Sequence, residues 1–188
     1  RLKTIGIEVN SEDLRIKKIL NEVKDREFIG YSYDGADASF ELLARRIIGE
    51  IPTYLKISEY DVSVKKNDKG KIISNAKAHI IVDGKKAICE GEGNGPVNAL
   101  DNAIRNNVDK IGKYSKYLKD LKLVDYKVRI LNTGTEAITR VSIESTDSKG
   151  KNWFTIGVST NIIEASFKAL IDSLDYKLFK DNAPANNK

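Results

Sequence analysis

A βββα pattern that occurs twice at a fixed offset constrains this chain more than any other feature of its 188 residues. From Tyr54 onward the apolar period is two, the mark of strands with one buried face. Tyr60, Val62 and Val64 alternate with polar residues, Asn67-Asp68-Lys69-Gly70 turns the chain, and Ala76, Ala78, Ile80 and Val82 form the next strand face. Asp83-Gly84 is a strong two-residue hairpin signal, and Ala87, Cys89 and Gly91 continue on the return strand. Pro96 suits the first helical position because it has no N–H to lose there. After it Val97, Leu100, Ile104, Val108 and Ile111 form one apolar stripe at helical spacing.

The same order then returns. Tyr126, Val128 and Ile130 alternate, Asn132-Thr133-Gly134 turns, and Ala137, Thr139, Val141 and Ile143 alternate again. Asp147-Ser148-Lys149-Gly150 turns the chain into a strand over 153–158, and Asn161 with Glu164 resembles a capping box ahead of the stripe Ile163, Phe167, Leu170, Leu174. At an offset of 66 residues Gly91 matches Gly157, Ala99 matches Ala165, and Ala103 matches Ala169. The shared order makes this an internal repeat. The expected fold class is α+β, with duplicated βββα units related by a pseudo-twofold axis and antiparallel sheets packed with helices.

Ahead of the repeat stands a helical subdomain. Ser11 is the expected N-cap, with Glu12 and Asp13 in the first turn, and Ile16, Ile19, Leu20 and Val23 give a stripe. Ala36, Phe40, Leu43 and Ile47 give a second, which Gly49 and Pro52 stop. The expected organisation is a helical linker subdomain at 1–50 and a domain at 51–180, with repeats at 54–115 and 121–180 and a frayed polar tail at 181–188.

Composition excludes more than it selects. A complete (β/α)₈ barrel needs about 250 residues, so none fits. The chain starts at Arg1 and has no methionine, which suggests a fragment or processed piece. The net charge of +5 invites a nucleic-acid reading, but no aromatic residue interleaves with Lys65, Lys66, Lys69, Lys71, Lys85 and Lys86 as a stacking platform would require. A lone Cys89 permits no internal disulfide and suits a reducing cytoplasm. No run approaches the ~20 apolar residues of a membrane span.

No catalytic constellation is visible. The single histidine, His79, sits mid-strand and points opposite to Ala78 and Ile80, so it reads as a second-face residue rather than a metal ligand. Cys89 has no local partner that would make it a nucleophile and reads as a small apolar residue in a strand. The informative segment is Gly91-Glu92-Gly93-Asn94-Gly95-Pro96-Val97-Asn98. Glycines before a helix N-terminus let backbone N–H groups approach an anion, carboxylate or phosphate alike. The same residues also suit a plain strand-to-helix turn, and spacing alone does not choose between them.

The run from Gly91 to Ala103 resembles the regulatory-domain signature of the citramalate and 2-isopropylmalate synthases. So do Asp125-Tyr126-Lys127-Val128-Arg129 and the stretch from Gly157 to Ser166, while Gly30 to Leu43 resembles the linker region of the citramalate synthase-like branch. The resemblance spans nearly the whole chain. It implies the regulatory and dimerisation part of an enzyme that condenses acetyl-CoA with a 2-oxo acid in a separate N-terminal barrel. That barrel would hold a divalent metal, and no cofactor is expected here. The implied partners are a second copy, that barrel, and a feedback effector, isoleucine or leucine.

Carried over by motif, the effector pocket would lie between the repeats. Asn94, Gly95, Val97 and Asn98 would come from the first helix entrance, Tyr126 and Ile130 from the fourth strand, and Ala137 and Thr139 from the fifth. Helix-entrance N–H groups would hold the carboxylate, Val97, Tyr126, Ile130 and Ala137 would enclose a branched side chain, and Thr139 would meet the ammonium. Relatives with leucine pockets often carry Leu-Ala where this chain has Val97-Asn98, which bears on which effector is bound. The effector is expected to stiffen the dimer interface, the helices of 11–48 to transmit this to the barrel, and Tyr31 or Tyr33 to contact the partner's active site in the intact enzyme. Three other readings remain: a dimerisation domain without an effector, a basic nucleic-acid-binding α+β module, and an enzyme subunit that needs a partner barrel.

Overall fold

The computed structural model describes residues 1–8, 13–132, 134 and 137–187. The expected cap at Ser11 with Glu12, and Thr133 of the expected turn, lie outside them. The described chain forms two compact units, one from Arg1–Pro52 with Leu123–Tyr176, the other from Thr53–Lys122 with Lys177–Lys188. Among the described residues there are two three-stranded antiparallel sheets, each with its strands in sequence order.

The second unit holds the first repeat. Strands β1 (Lys56–Lys66), β2 (Ile72–Val82) and β3 (Lys85–Gly93) are followed by α3 (Pro96–Arg105), while helices α1 (Leu14–Phe28) and α2 (Asp37–Ile47) belong to the other unit. The β2–β3 hairpin turns on Asp83 and Gly84, both at positive φ (49° and 72°) as a type I′ turn requires. Its register pairs Ala78 with Cys89 and Ala76 with Gly91. Ala76, Ala78, Ile80, Val82 and Cys89 are buried on one face, against Ala99, Leu100, Ala103 and Ile104 of α3. The stripe expected to run on to Ile111 as one helix breaks after Arg105. Asn107 turns back there, its Nδ2 donating to Ala103 O at 2.8 Å and Glu90 O at 2.9 Å, and a 3-10 turn, Val108–Lys110, carries the chain to a buried Ile111.

The closing residues do not fray as their composition suggests. Asp83 N–H donates to Asn186 Oδ1 at 2.6 Å, Asn186 N–H to Thr53 O at 3.0 Å, and Tyr114 Oη to Pro184 O at 2.9 Å. Lys177, 2% exposed, is held by Asp181 at 2.7 Å and Asp120 at 3.5 Å. Side-chain hydrogen bonds to backbone groups, invisible to composition, tie this segment down.

The first unit holds the two leading helices with the second repeat. These are α1 (Leu14–Phe28), α2 (Asp37–Ile47), β4 (Lys122–Ile130) from Leu123 on, β5 (Thr139–Thr146), β6 (Asn152–Ser159) and α5 (Ile162–Lys180) as far as Tyr176; the short α4 (Ser115–Leu118) belongs to the other unit. The described start of α1 is capped by Asp13, whose side chain accepts from Arg15 N–H at 2.8 Å. Ile19 of its stripe is buried, but Leu20 is 52% exposed. The α2 stripe holds: Ala36, Phe40 and Leu43 cluster with Tyr33 and Ile156. Asn161 caps α5 by accepting from the N–H groups of Ile163 and Glu164, at 2.8 and 3.3 Å.

Strand β6 is buried on both sides. Trp153, Thr155 and Gly157 face α5: Trp153 Nε1 donates to Ser173 Oγ at 3.1 Å and Thr155 Oγ1 to Ala169 O at 2.8 Å. Ile156 faces the α2 cluster, and its N–H donates to Ser39 Oγ at 2.9 Å. That bond closes part of an edge strand that would otherwise offer N–H groups to another chain. Ser39 in turn donates to Asp172 Oδ2 at 3.3 Å, and Arg46 bridges Asp172 at 2.8 Å and Asp175 at 2.7 Å.

The two repeats share one packing device. A Cβ on Gly91 would sit 2.2 Å from Ala103 N and 2.6 Å from Ala99 O; one on Gly157 would sit 2.0 Å from Ala165 O and 2.9 Å from Ala169 N. In both, the helix lies backbone against backbone on its strand, and the glycine–alanine–alanine trio recognised at the 66-residue offset is that contact.

Gly91→Ala and Gly157→Ala should therefore each cost at least about 3 kcal/mol in urea unfolding, since neither clash is with a flexible side-chain end. Gly84→Ala, which meets nothing within 4 Å but sits at positive φ, should cost only about 1 kcal/mol. Equal losses at all three would show that the close approach is not what these glycines serve.

The stability of this layer depends on pH. Burial and the neighbouring Asp172 push Asp175 up to about 7 despite Arg46. A carboxyl raised in the folded state binds its proton more tightly there, so its stabilising contribution is complete below the ordinary carboxylate pKa of about 4 and is lost as pH rises towards 7. Asp175→Asn should raise the melting temperature relative to the parent at pH 8, by more than it does at pH 5. Parallel pH profiles for parent and variant would contradict this.

Candidate functional site

The helix entrance that drew attention in the sequence is a built turn. Gly95 is the extended N-cap of α3 with Pro96 first in the helix, and Ala99 N–H donates to Gly95 O at 2.9 Å. Asn94 N–H is already taken by Asn98 Oδ1 at 3.2 Å, and Asn102 Nδ2 donates to Glu92 O at 2.9 Å. Asn98 thus braces the loop as well as standing exposed. Gly93 allows this, since a Cβ there would lie 2.6 Å from Asn98 Oδ1. With Pro96 lacking an N–H, the helix-start N–H groups of Val97 and Asn98 have no partner among the described residues.

The other four residues lie in the first unit. Tyr126 is half-buried on β4, and its hydroxyl meets Ser166 Oγ at 2.9 Å. Ser166 donates to Ile162 O at 2.6 Å, so it accepts from Tyr126. Burial pushes the Tyr126 phenol up and Ser166 pulls it partly back. Ile130 ends β4 at 68% exposure. Thr139 opens β5 and is 7% exposed, while Ala137 precedes that strand rather than belonging to it. The eight residues thus divide four and four between the units, the glycine-rich entrance in one and the strand residues in the other.

Tyr33, expected to reach outward, is 2% exposed within the Phe40 cluster. Tyr31 stacks on it with ring centroids 6.0 Å apart. His79 lies on the second face of β2 against Glu59. Cys89 is fully buried, and that burial raises its thiol pKa. Among the described residues no three of His, Cys, Asp or Glu are grouped to hold a metal ion, and no helix is long and apolar enough to cross a membrane.

Residue-by-residue reading overlooked Arg129 and Arg140, which share an open cleft of ≈ 500 Å³ in the first unit. Each reads as an ordinary polar position of an alternating strand. The available signal was a pair of arginines flanking one hairpin.

Residues 34–178 match the family described as the LeuA allosteric (dimerisation) domain. The (R)-citramalate synthase of Aquifex aeolicus is 43% identical over 96% of this chain and 34% of its own length. That of Geobacter sulfurreducens is 42% identical over the same shares. The 2-isopropylmalate synthase of Clostridium acetobutylicum is 36% identical over 69% of this chain and 21% of its own length. The chain thus spans about a third of the length of the citramalate synthases it matches. With the duplicated βββα fold in place and the match covering both repeats, the chain belongs to the LeuA allosteric (dimerisation) domain family.

Proposed function

We propose that the chain is the feedback-regulatory and dimerisation part of an (R)-citramalate or 2-isopropylmalate synthase, and that it binds a branched-chain amino acid, isoleucine or leucine. The observation that carries this is the α3 entrance: Val97 and Asn98 N–H groups unpartnered among the described residues at a helix start, inside a domain of an allosteric family. A helix N-terminus favours a carboxylate through its N–H groups and its dipole. Asn94 and Gly95 shape the turn that presents them. In the other unit, Tyr126, Ile130 and Ala137 offer apolar surface suited to a branched side chain, and Thr139 a hydroxyl suited to an ammonium.

On this reading the reaction, a condensation of acetyl-CoA with pyruvate or 2-oxoisovalerate, and its divalent metal belong to a catalytic barrel in a cytoplasmic homodimer. The chain itself is not a catalyst. Inhibition then needs the effector to favour one of two states of the enzyme, with couplings of about 1–3 kcal/mol typical of such systems.

Dimerisation without an effector is the second reading. It is favoured by the exposed apolar row on edge strand β4, where Val124 is 53%, Val128 41% and Ile130 68% exposed. A second copy would cover such a row.

Isoleucine or leucine at 100 times its Kd should add about 2.7 kcal/mol to stability, read as a raised melting temperature. Tyr126→Ala should fold and lose that shift, while Tyr126→Phe, which forfeits only the Ser166 bond, should keep it. If isoleucine, leucine and valine all leave the parent's melting curve unmoved, dimerisation alone stands.

A further inference from the structure

Within the first unit, one cleft of ≈ 500 Å³ opens between the turn after α1 and the face of β4 and β5. Ser32 and Asp34 line it on one side, and Lys127, Arg129, Arg140 and Ser142 on the other. β4 and β5 are neighbours, and Leu131 N–H donates to Ile138 O at 2.9 Å. Continuing that antiparallel register sets Arg129 across from Arg140 and Lys127 across from Ser142. Like charges directly opposite one another on a sheet destabilise it.

The charges around the cleft do not cancel. Lys127 is paired with Asp125 at 2.6 Å, and the exposed Asp34 is drawn to Arg1 at 3.6 Å. Arg140 Nε donates to Gly30 O at 2.6 Å, which orients the guanidinium by a neutral carbonyl and leaves its charge uncompensated. Among the described residues neither Arg129 nor Arg140 has a carboxylate within ion-pair distance. Their closeness also shows in the Arg140 guanidinium, whose pKa is lowered first by burial and then by the charge of Arg129. Gly30 is suited to its part, since it sits at φ +109°, a backbone conformation that residues with side chains rarely adopt.

We propose that this cleft is a binding site for a small, doubly charged oxyanion, held between Arg129 and Arg140 with the Ser32 and Ser142 hydroxyls as further donors. Two guanidiniums side by side present parallel N–H pairs, which match the oxygen edges of a carboxylate or a phosphate. The anion supplies negative charge that no described residue brings within ion-pair distance of the two arginines. The site is separate from the α3 entrance, and its ligand differs in kind: isoleucine and leucine carry no net charge at neutral pH.

Thermal melting of the 188-residue chain tests this, with sodium phosphate and sodium succinate compared against sodium chloride at matched ionic strength. At saturation one or both should raise the melting temperature by about 3 °C or more over chloride, and the one that does identifies a phosphate-type or a dicarboxylate ligand. Arg129→Gln should melt above the parent in chloride, because a repulsion is gone, and should lose the anion-dependent rise. Arg140→Gln should lose the rise too. Because Arg140 also braces Gly30, the exposed Arg129 variant keeps the test decisive if Arg140→Gln folds poorly. The proposal is overturned if neither anion exceeds chloride, or if Arg129→Gln retains the full rise. A null result here leaves the amino-acid response untouched, and the reverse holds as well.

Discussion

Both repeats depend on a helix lying directly on a strand. At Gly91 and at Gly157 there is no room for even a methyl group between strand and helix backbone. The alanines four residues apart on each helix, Ala99 with Ala103 and Ala165 with Ala169, are what allow the approach, and all four are fully buried. Close approach of this kind fixes where the helix begins as well as where it lies. In the first repeat it sets α3 so that its first turn emerges from the Gly93–Gly95 loop, with Asn98 exposed there. A packing constraint inside the domain therefore determines where backbone donors appear on its surface.

The first unit adds a second constraint. Its strand β6 is covered on one face by α5 and on the other by α2, and a polar chain crosses that layer from Ile156 N–H through Ser39 to Asp172, Arg46 and Asp175. One arginine serves two mostly buried carboxylates, so the layer carries more negative charge than it can compensate, and Asp175 meets this by holding its proton to about pH 7. Arg129 and Arg140 form the opposite case on β4 and β5: two cations with no carboxylate within ion-pair distance among the described residues. Charge imbalance thus marks both the contact of the leading helices with the sheet and the cleft beside it.

Much of this was legible before any coordinates. The duplicated order, the Asp83-Gly84 turn and the glycine–alanine–alanine trio were visible because each is a local demand: positive φ, alternation, or a missing side chain at fixed spacing. The α3 entrance was visible for the same reason. What was not legible depends on distant partners. The strand over 153–158 was read without a face assigned to Ile156 or Val158, although an apolar run on both faces signals two-sided burial. Asn98 read as a ligand residue when it also braces Asn94, and the tail read as frayed because a polar composition does not disclose that Asn186 has the Asp83 N–H to meet. Leu20 followed its stripe and still faces outward, since periodicity shows a possible face and not the surface that will cover it.

The central claim is that the α3 entrance receives the carboxylate of a branched-chain amino acid. Titration of the ¹⁵N-labelled chain with isoleucine and with leucine, following the backbone amides of Val97 and Asn98, tests it most directly. The account predicts that one of the two amino acids moves both resonances along a saturable curve, while its amide analogue, which lacks the carboxylate, does not. Amides at Val97 and Asn98 that stay fixed as either amino acid reaches millimolar concentration would contradict it.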